Sequence, residues 1–195
     1  MEHAKLILKN ISKIIELNEK EKDLFVSKLK YAKLKPKTVL VHKGEIALRT
    51  YFVNEGCIRA FTTDTEGTEY SVYFAPKDWW ISEMYSYFSG QPAEQCLETV
   101  LPTEIVYFEK KDQEELFERI PKLDRFFRIL IERSVVAHQQ RIIDNLTKTA
   151  EERYKIFEKK YATIVNTIPQ KQIASYIGVT PEFFSKMKAR MLKGK

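Results

Sequence analysis

The sequence predicts an α+β chain: helices at the amino end, a small antiparallel β barrel or sandwich, one long helix, and a helix-turn-helix unit at the carboxyl end. Three observations predict it. Gly44, Gly56, Gly67 and Gly90 punctuate a first half rich in short β-type runs. After Pro121 the apolar period becomes helical and stays so to about Thr147. Between Gln170 and Met187, two helical stretches flank one tight turn at Gly178.

The first 30 or so residues read as helical. Asn18 followed by Glu21 fits a capping box, and Leu24, Phe25 and Leu29 then mark one face. From Pro36 the pattern changes. Thr38–Val41, Tyr51–Val53, Cys57–Thr63, Glu69–Phe74, Gln95–Val100 and Glu104–Phe108 are expected to be strands, with Asn54-Glu55-Gly56 and Thr65-Glu66-Gly67 as hairpin turns. Strands joined by turns at this spacing suggest a small antiparallel barrel or sandwich.

The long helix follows. Leu123, Phe126, Phe127, Leu130, Ile131, Val135, Ile142 and Leu146 supply an apolar face along it. About 25 residues of helix span about 37 Å, more than one small barrel covers. A second copy of the same helix is the economical partner, with Phe127, Leu130, Ile131, Val135 and Ile142 as dimerisation residues. The alternative is a helix folded wholly against its own domain.

Composition narrows the function. The chain has 195 residues, 44% hydrophobic and 31% charged, enough for a real core. Its longest hydrophobic run is four residues, whereas a membrane span needs about 20. The amino end lacks the apolar stretch of a secretory signal. Cys57 and Cys96 have neither metal nor redox spacing and suggest a reducing compartment, so a cytoplasmic protein is expected. Net charge is +6, and residues 147–195 hold 11 Lys/Arg against four Asp/Glu. All the excess positive charge therefore lies in the last quarter. That is the footprint of a nucleic-acid-binding module, or else of a solvated lysine-rich tail.

The stretch QKQIASYIGVTPEFFSKM favours the first reading. Ala174 is small where two helices approach, and Gly178 can take the positive φ that ends the first helix. Ile173, Ile177, Val179, Phe184 and Met187 fall where crossed helices share a core. Thr180 can cap the second helix, Pro181 suits its first turn, and Glu182 complements its dipole. In such a unit the second helix enters the major groove. Thr180, Pro181, Glu182, Ser185 and Lys186 would meet base edges, Glu182 accepting from cytosine and Lys186 donating to guanine. Lys188, Arg190 and Lys193 suit phosphates, and Gln170 and Lys171 can touch the backbone. Phe183 and Phe184 are expected in the core.

With its parts in this order, the chain resembles the catabolite-activator (Crp/Fnr) family of bacterial transcription regulators over nearly its whole length. The stretch VLVHKGEIALRTYFVNEGCIRAFTTDTEGTEYSVYFAPKDWW is similar to that family's cyclic-nucleotide-binding β-roll, glycine turns included. The resemblance implies a sensor β-roll with N-terminal helices over 1–120, a dimerisation helix over 121–147, and a (winged) helix-turn-helix domain over 148–195. It also implies a homodimer that binds double-stranded DNA and contacts RNA polymerase, with no membrane.

The ligand cassette departs from the family pattern. There a Gly-Glu pair opens a short helix, the glutamate binding the ribose hydroxyl, and an Arg-Ser pair about ten residues on neutralises the cyclic phosphate. Here Ser82-Glu83 keeps the glutamate, but Ala93 stands near the place of the arginine, with Glu94 and Gln95 following. A buried phosphate would be poorly compensated, so a degenerate sensor without tight cyclic AMP or cyclic GMP binding is expected. Trp79, Trp80, Tyr85, Tyr87 and Phe88 can line an apolar pocket, or simply plug a small barrel.

No cofactor is expected. An iron–sulfur cluster needs four cysteine ligands and the chain has two; His3, His42 and His138 are lone histidines, usually structural or exposed. The glycines are too dispersed for a phosphate-cradling loop, and no hydrolase or metalloprotease motif is present, so the chain is not expected to be an enzyme. The competing reading is a ligand-binding regulatory subunit whose C-terminal domain contacts protein rather than DNA, which Glu182 on the second helix would suit.

Overall fold

The computed structural model describes residues 2–193. Two helices, α1 (Lys5–Ser12) and α2 (Glu19–Lys28), precede eight strands: β1 (Lys30–Leu34), β2 (Val39–Val41), β3 (Arg49–Glu55), β4 (Cys57–Thr63), β5 (Glu69–Pro76), β6 (Trp80–Ile81), β7 (Cys96–Thr99) and β8 (Thr103–Glu109). The short helix α3 (Met84–Ser89) lies between β6 and β7. After β8 come α4 (Lys110–Arg119), α5 (Lys122–Thr147), α6 (Ala150–Lys160), α7 (Gln170–Ile177) and α8 (Pro181–Lys193). Among the described residues, no helix is long and apolar enough to cross a membrane.

The strands form two antiparallel sheets, in the orders β1-β8-β3-β6 and β2-β7-β4-β5. Side-chain alternation along each strand divides their residues between two cores. From β3, Tyr51 and Val53 point between the sheets, joining Ile58 and Ala60 of β4, Ala75 of β5, Leu97 of β7 and Ile105 of β8. Phe52, Val106 and Phe108 point the other way, into a core made by α1, α2, α4 and the start of α5. On the second sheet, Cys57 and Phe74 likewise point outward, into the core of α6–α8. Both outer faces are thus covered by helices, which is why β3 and β4 read as nearly continuous apolar runs.

Local chemistry sets the junctions. Asn18 Oδ1 accepts from the Glu21 amide at 3.0 Å, and Glu21 Oε2 accepts from the Asn18 amide at 2.7 Å. Gly56 turns β3 into β4 with φ +87°. A Cβ there would lie 2.4 Å from the Pro102 carbonyl oxygen, so only glycine fits.

Three expectations need correction. The apolar positions on α5 do not form one face. Leu123, Phe126 and Phe127 are buried in the chain's own core, Phe127 against Trp80, Phe108 and Phe117. Phe127 is therefore not available to a partner helix. Beyond it Leu130 and Ile131 are half-buried, while Val135, Ile142 and Leu146 are exposed, Leu146 by 81%. Second, the helical reading of the first 30 or so residues misses the start of β1 at Lys30, although the second helix begins at the expected Asn18 cap. Third, Phe183 is exposed and only Phe184 enters the core.

Candidate nucleic-acid interface and adjoining cavity

The C-terminal helices pack around Tyr154, Phe157, Tyr161, Ile173, Phe184 and Met187. Gly178 closes α7 with φ +75°, and the amide of Val179 donates to the Ala174 carbonyl at 3.1 Å. Thr180 Oγ1 then accepts from the Phe183 amide at 3.2 Å, capping α8. Ala174, fully buried, lets the two helices approach.

This packing leaves one face of α8 open. Thr180, Pro181, Glu182, Ser185 and Lys186 are all exposed, as are Gln170 and Lys171 at the start of α7 and Lys193 near the end of α8. Lys188 is different: its Nζ lies 5.6 Å from the rings of both Tyr154 and Phe184, and it is half-buried. Arg190 reaches toward Glu151 at 3.9 Å, a contact an incoming anion can replace because both groups are exposed.

The helix pair is docked on the β-sheets rather than tethered at a distance. Ser175 of α7 sits on β5: its Oγ accepts from the Ser71 amide and donates to the Glu69 carbonyl, each at 2.8 Å. Arg141 of α5 ties the same two parts, its Nη2 donating to the carbonyls of Ser71 at 3.1 Å and Tyr176 at 3.0 Å. Arg153 of α6 donates through Nε to the Ile177 carbonyl at 2.8 Å and through Nη1 to the Lys148 carbonyl at 2.7 Å. Phe74 of β5 completes the contact, with Phe157, Tyr161 and Tyr176 around its ring.

A cavity of about 570 Å³ runs between the sheets and α5. Of the five candidate ligand residues, Ser82 lines it. Glu83 is 1% exposed and its Oε2 caps α3, accepting from the Ser86 amide at 2.7 Å, while its Oε1 is buried without a partner. Ala93 is packed between the sheets. Glu94 is exposed, 4.0 Å from Lys43, and Gln95 is half-buried beside it. The cassette residues therefore do not converge on one site. Of the aromatic stretch, Trp79, Trp80, Tyr87 and Phe88 line the cavity, and Tyr85 is turned to solvent. Tyr73 also lines it; its hydroxyl donates to the Ser82 carbonyl at 2.7 Å, and burial pushes its pKa up.

The sequence pattern pointed to none of Ser175, Arg141 and Arg153. A polar side chain on a helix otherwise reads as solvated, and these are drawn inward only by contacts between distant parts of the chain.

Residues 31–120 match the family model of the cyclic nucleotide-binding domain. Most of the chain has the fold of solved bacterial proteins. The c-di-GMP-responsive global regulator CLP of Xanthomonas campestris is 12% identical, with a TM-score of 0.72 over 91% of this chain and 93% of that one. FixK2 of Bradyrhizobium japonicum is 15% identical, with a TM-score of 0.75 over 85% of each chain. A protein of Eubacterium rectale assigned to the Crp/Fnr family of transcriptional regulators is 18% identical, with a TM-score of 0.71 over 91% and 85%. No curated protein sequence matches the chain. The class defined is an α+β protein whose β-roll is similar to the cyclic nucleotide-binding domain, and its structural neighbours include a transcriptional regulator assigned to the Crp/Fnr family.

Proposed function

We propose that the chain is a homodimeric, sequence-specific DNA-binding transcription regulator of the Crp/Fnr type, responding to an effector other than cyclic AMP or cyclic GMP. The observation that carries this reading is the open face of α8. Thr180, Glu182, Ser185 and Lys186 stand exposed at the start of a helix in the part of the chain that holds all its excess positive charge. In this reading α7 and α8 form a helix-turn-helix, α8 enters the major groove, and Gln170, Lys171 and Arg190 meet phosphates.

Two further features support it. Val135, Ile142 and Leu146 leave an apolar stripe on the outer side of α5, suited to a second copy of that helix. Residues 1–120 then form the sensor, 121–147 the dimerisation helix and 148–195 the reading unit, with RNA polymerase as the further partner. Ala93 sits in the core where a phosphate-binding arginine would be needed, and Glu83 already caps α3, which argues against the cyclic nucleotides.

The test is selection of sheared genomic DNA by the purified protein, with no ligand added, followed by sequencing. A two-fold symmetric motif with half-sites about 10 bp apart is expected. Lys186→Glu should abolish retention while the sedimentation mass stays that of the dimer. Unchanged DNA affinity in that variant would remove α8 from the interface.

A further inference from the structure

The cavity changes character where it meets α6 and α7. There it is walled by Arg141, Lys160, Trp79, Tyr161 and Tyr176. A second cavity of about 220 Å³ lies behind, sharing Arg141, Lys160 and Tyr176. Two cations thus line both cavities, and among the described residues neither has a carboxylate partner. Lys160 Nζ lies over the rings of Trp79 and Tyr161, at 5.9 and 5.2 Å. The Arg141 guanidinium lies 4.1 Å from the Tyr176 ring.

The nearby acids are committed elsewhere. Asp78 is held by Lys13 at 2.5 Å and by Asn10 at 2.9 Å. Asp144, one turn along α5, accepts from Gln140 at 3.0 Å and pairs with Lys148 at 3.8 Å. Arg141 spends Nη2 on two carbonyls, while its Nε is buried with no partner. Burial lowers the pKa of both cations, and the Arg141 charge lowers that of Lys160 further. Both side chains are half-buried, and positive charge drawn partly out of water without a counter-charge is costly. It is expected where a ligand supplies the missing charge.

We infer that this junction is a binding site for a small anion carrying a flat aromatic or heterocyclic ring, the anion held by Arg141 and Lys160 and the ring by Trp79, Tyr161 and Tyr176. The rings give a planar group faces to stack on, and the two cations give a carboxylate, sulfonate or phosphate charge-assisted hydrogen bonds. The site shares its cavity with Ser82 but uses none of the cassette residues, and ligand binding there holds whether or not α8 reads DNA. Its occupant would touch Arg141, one of the side chains that hold α7 against β5.

The test compares two fluorescent probes on the full chain: 1-anilinonaphthalene-8-sulfonate, and N-phenyl-1-naphthylamine, which has the same rings and no charge. Saturable binding of the sulfonate about tenfold tighter than the amine is expected, the scale of one hydrogen bond between charged groups. Lys160→Gln should remove most of that preference and leave amine binding unchanged. Arg141→Gln should do the same, and because it also loses two carbonyl contacts, Lys160→Gln with an unchanged melting curve is the deciding variant. Equal affinity for the two probes, no saturable binding of the sulfonate, or an unaltered preference in Lys160→Gln would each overturn the assignment.

Discussion

Ser175→Ala is the sharpest probe of how the C-terminal helices are held. The wild-type hydroxyl takes one hydrogen bond from the Ser71 amide and gives one to the Glu69 carbonyl, both at 2.8 Å. Alanine removes both. Ser71 is 2% exposed, so water does not reach its freed N–H, whereas Glu69 is exposed and its carbonyl is rehydrated. An orphaned buried donor costs about 1–3 kcal/mol, offset by roughly 0.5 kcal/mol from the better helix propensity of alanine. The net loss is then about 0.5–2.5 kcal/mol, a fall in Tm of about 1–10 °C for a chain of this size. Urea unfolding followed by tyrosine and tryptophan fluorescence measures it. Arg141 binds the carbonyl of the same Ser71. The Ser175→Ala, Arg141→Gln cycle should therefore show a coupling of about 0.5 kcal/mol or more. A single-variant loss under about 0.5 kcal/mol, with strictly additive effects in the double variant, would refute the docking argument.

Three other outcomes are expected. Gly56→Ala forces a left-handed backbone, costing about 1–2 kcal/mol, and drives a methyl into Pro102 and Thr103, costing about 1–3 kcal/mol more; denaturant unfolding should show a loss of about 2–5 kcal/mol. Burial pushes the Cys57 thiol up to about 12, so at pH 8 a thiol reagent should modify it only on unfolding, which peptide mapping of native and denatured samples checks. Hydrogen bonds from Lys30 and then Lys111 draw the Glu109 carboxyl down to about 2. Because the folded value lies below the unfolded one, its stabilisation is complete above about pH 4.5 and is lost as pH falls toward 2; carboxyl NMR should find the low midpoint, and Glu109→Gln should flatten the acid limb of the stability curve.

What was legible in the sequence is what depends on neighbours along the chain. The Asn18 cap, the turns at Gly56 and Gly67 and the cap at Thr180 follow from local backbone chemistry, and α5 begins and ends within a residue of its expected bounds. The short elements were not legible: β1 reads Lys-Tyr-Ala-Lys-Leu with weak alternation, and β6 has two residues. Nor was the change of face along α5. Phe127 and Ile142 look alike in a helical pattern, and only the end of the β-sheets decides that one is core and the other exposed. The cavity cations were hidden for a related reason. Lys160 ends an ordinary amphipathic helix, and of the two rings its Nζ lies over, Tyr161 follows that helix while Trp79 comes from the turn before β6. Ala93 shows the reverse case: it falls at a legible place in a linear motif, yet its backbone holds the Gly44–Glu45 segment while its side chain packs between the sheets.

The position of β5 has a consequence for solubility. It is the outermost strand of its sheet, and an outer strand offers a row of free amides and carbonyls to any other chain that can pair with it. Here Ser175 and Arg141 occupy those groups at Glu69 and Ser71, acting as a cover over a sticky edge. Swinging the helix pair away bares that edge, together with the aromatic face around Phe74 that faces α6 and α7. Any release of the helices would therefore also be an exposure to self-association.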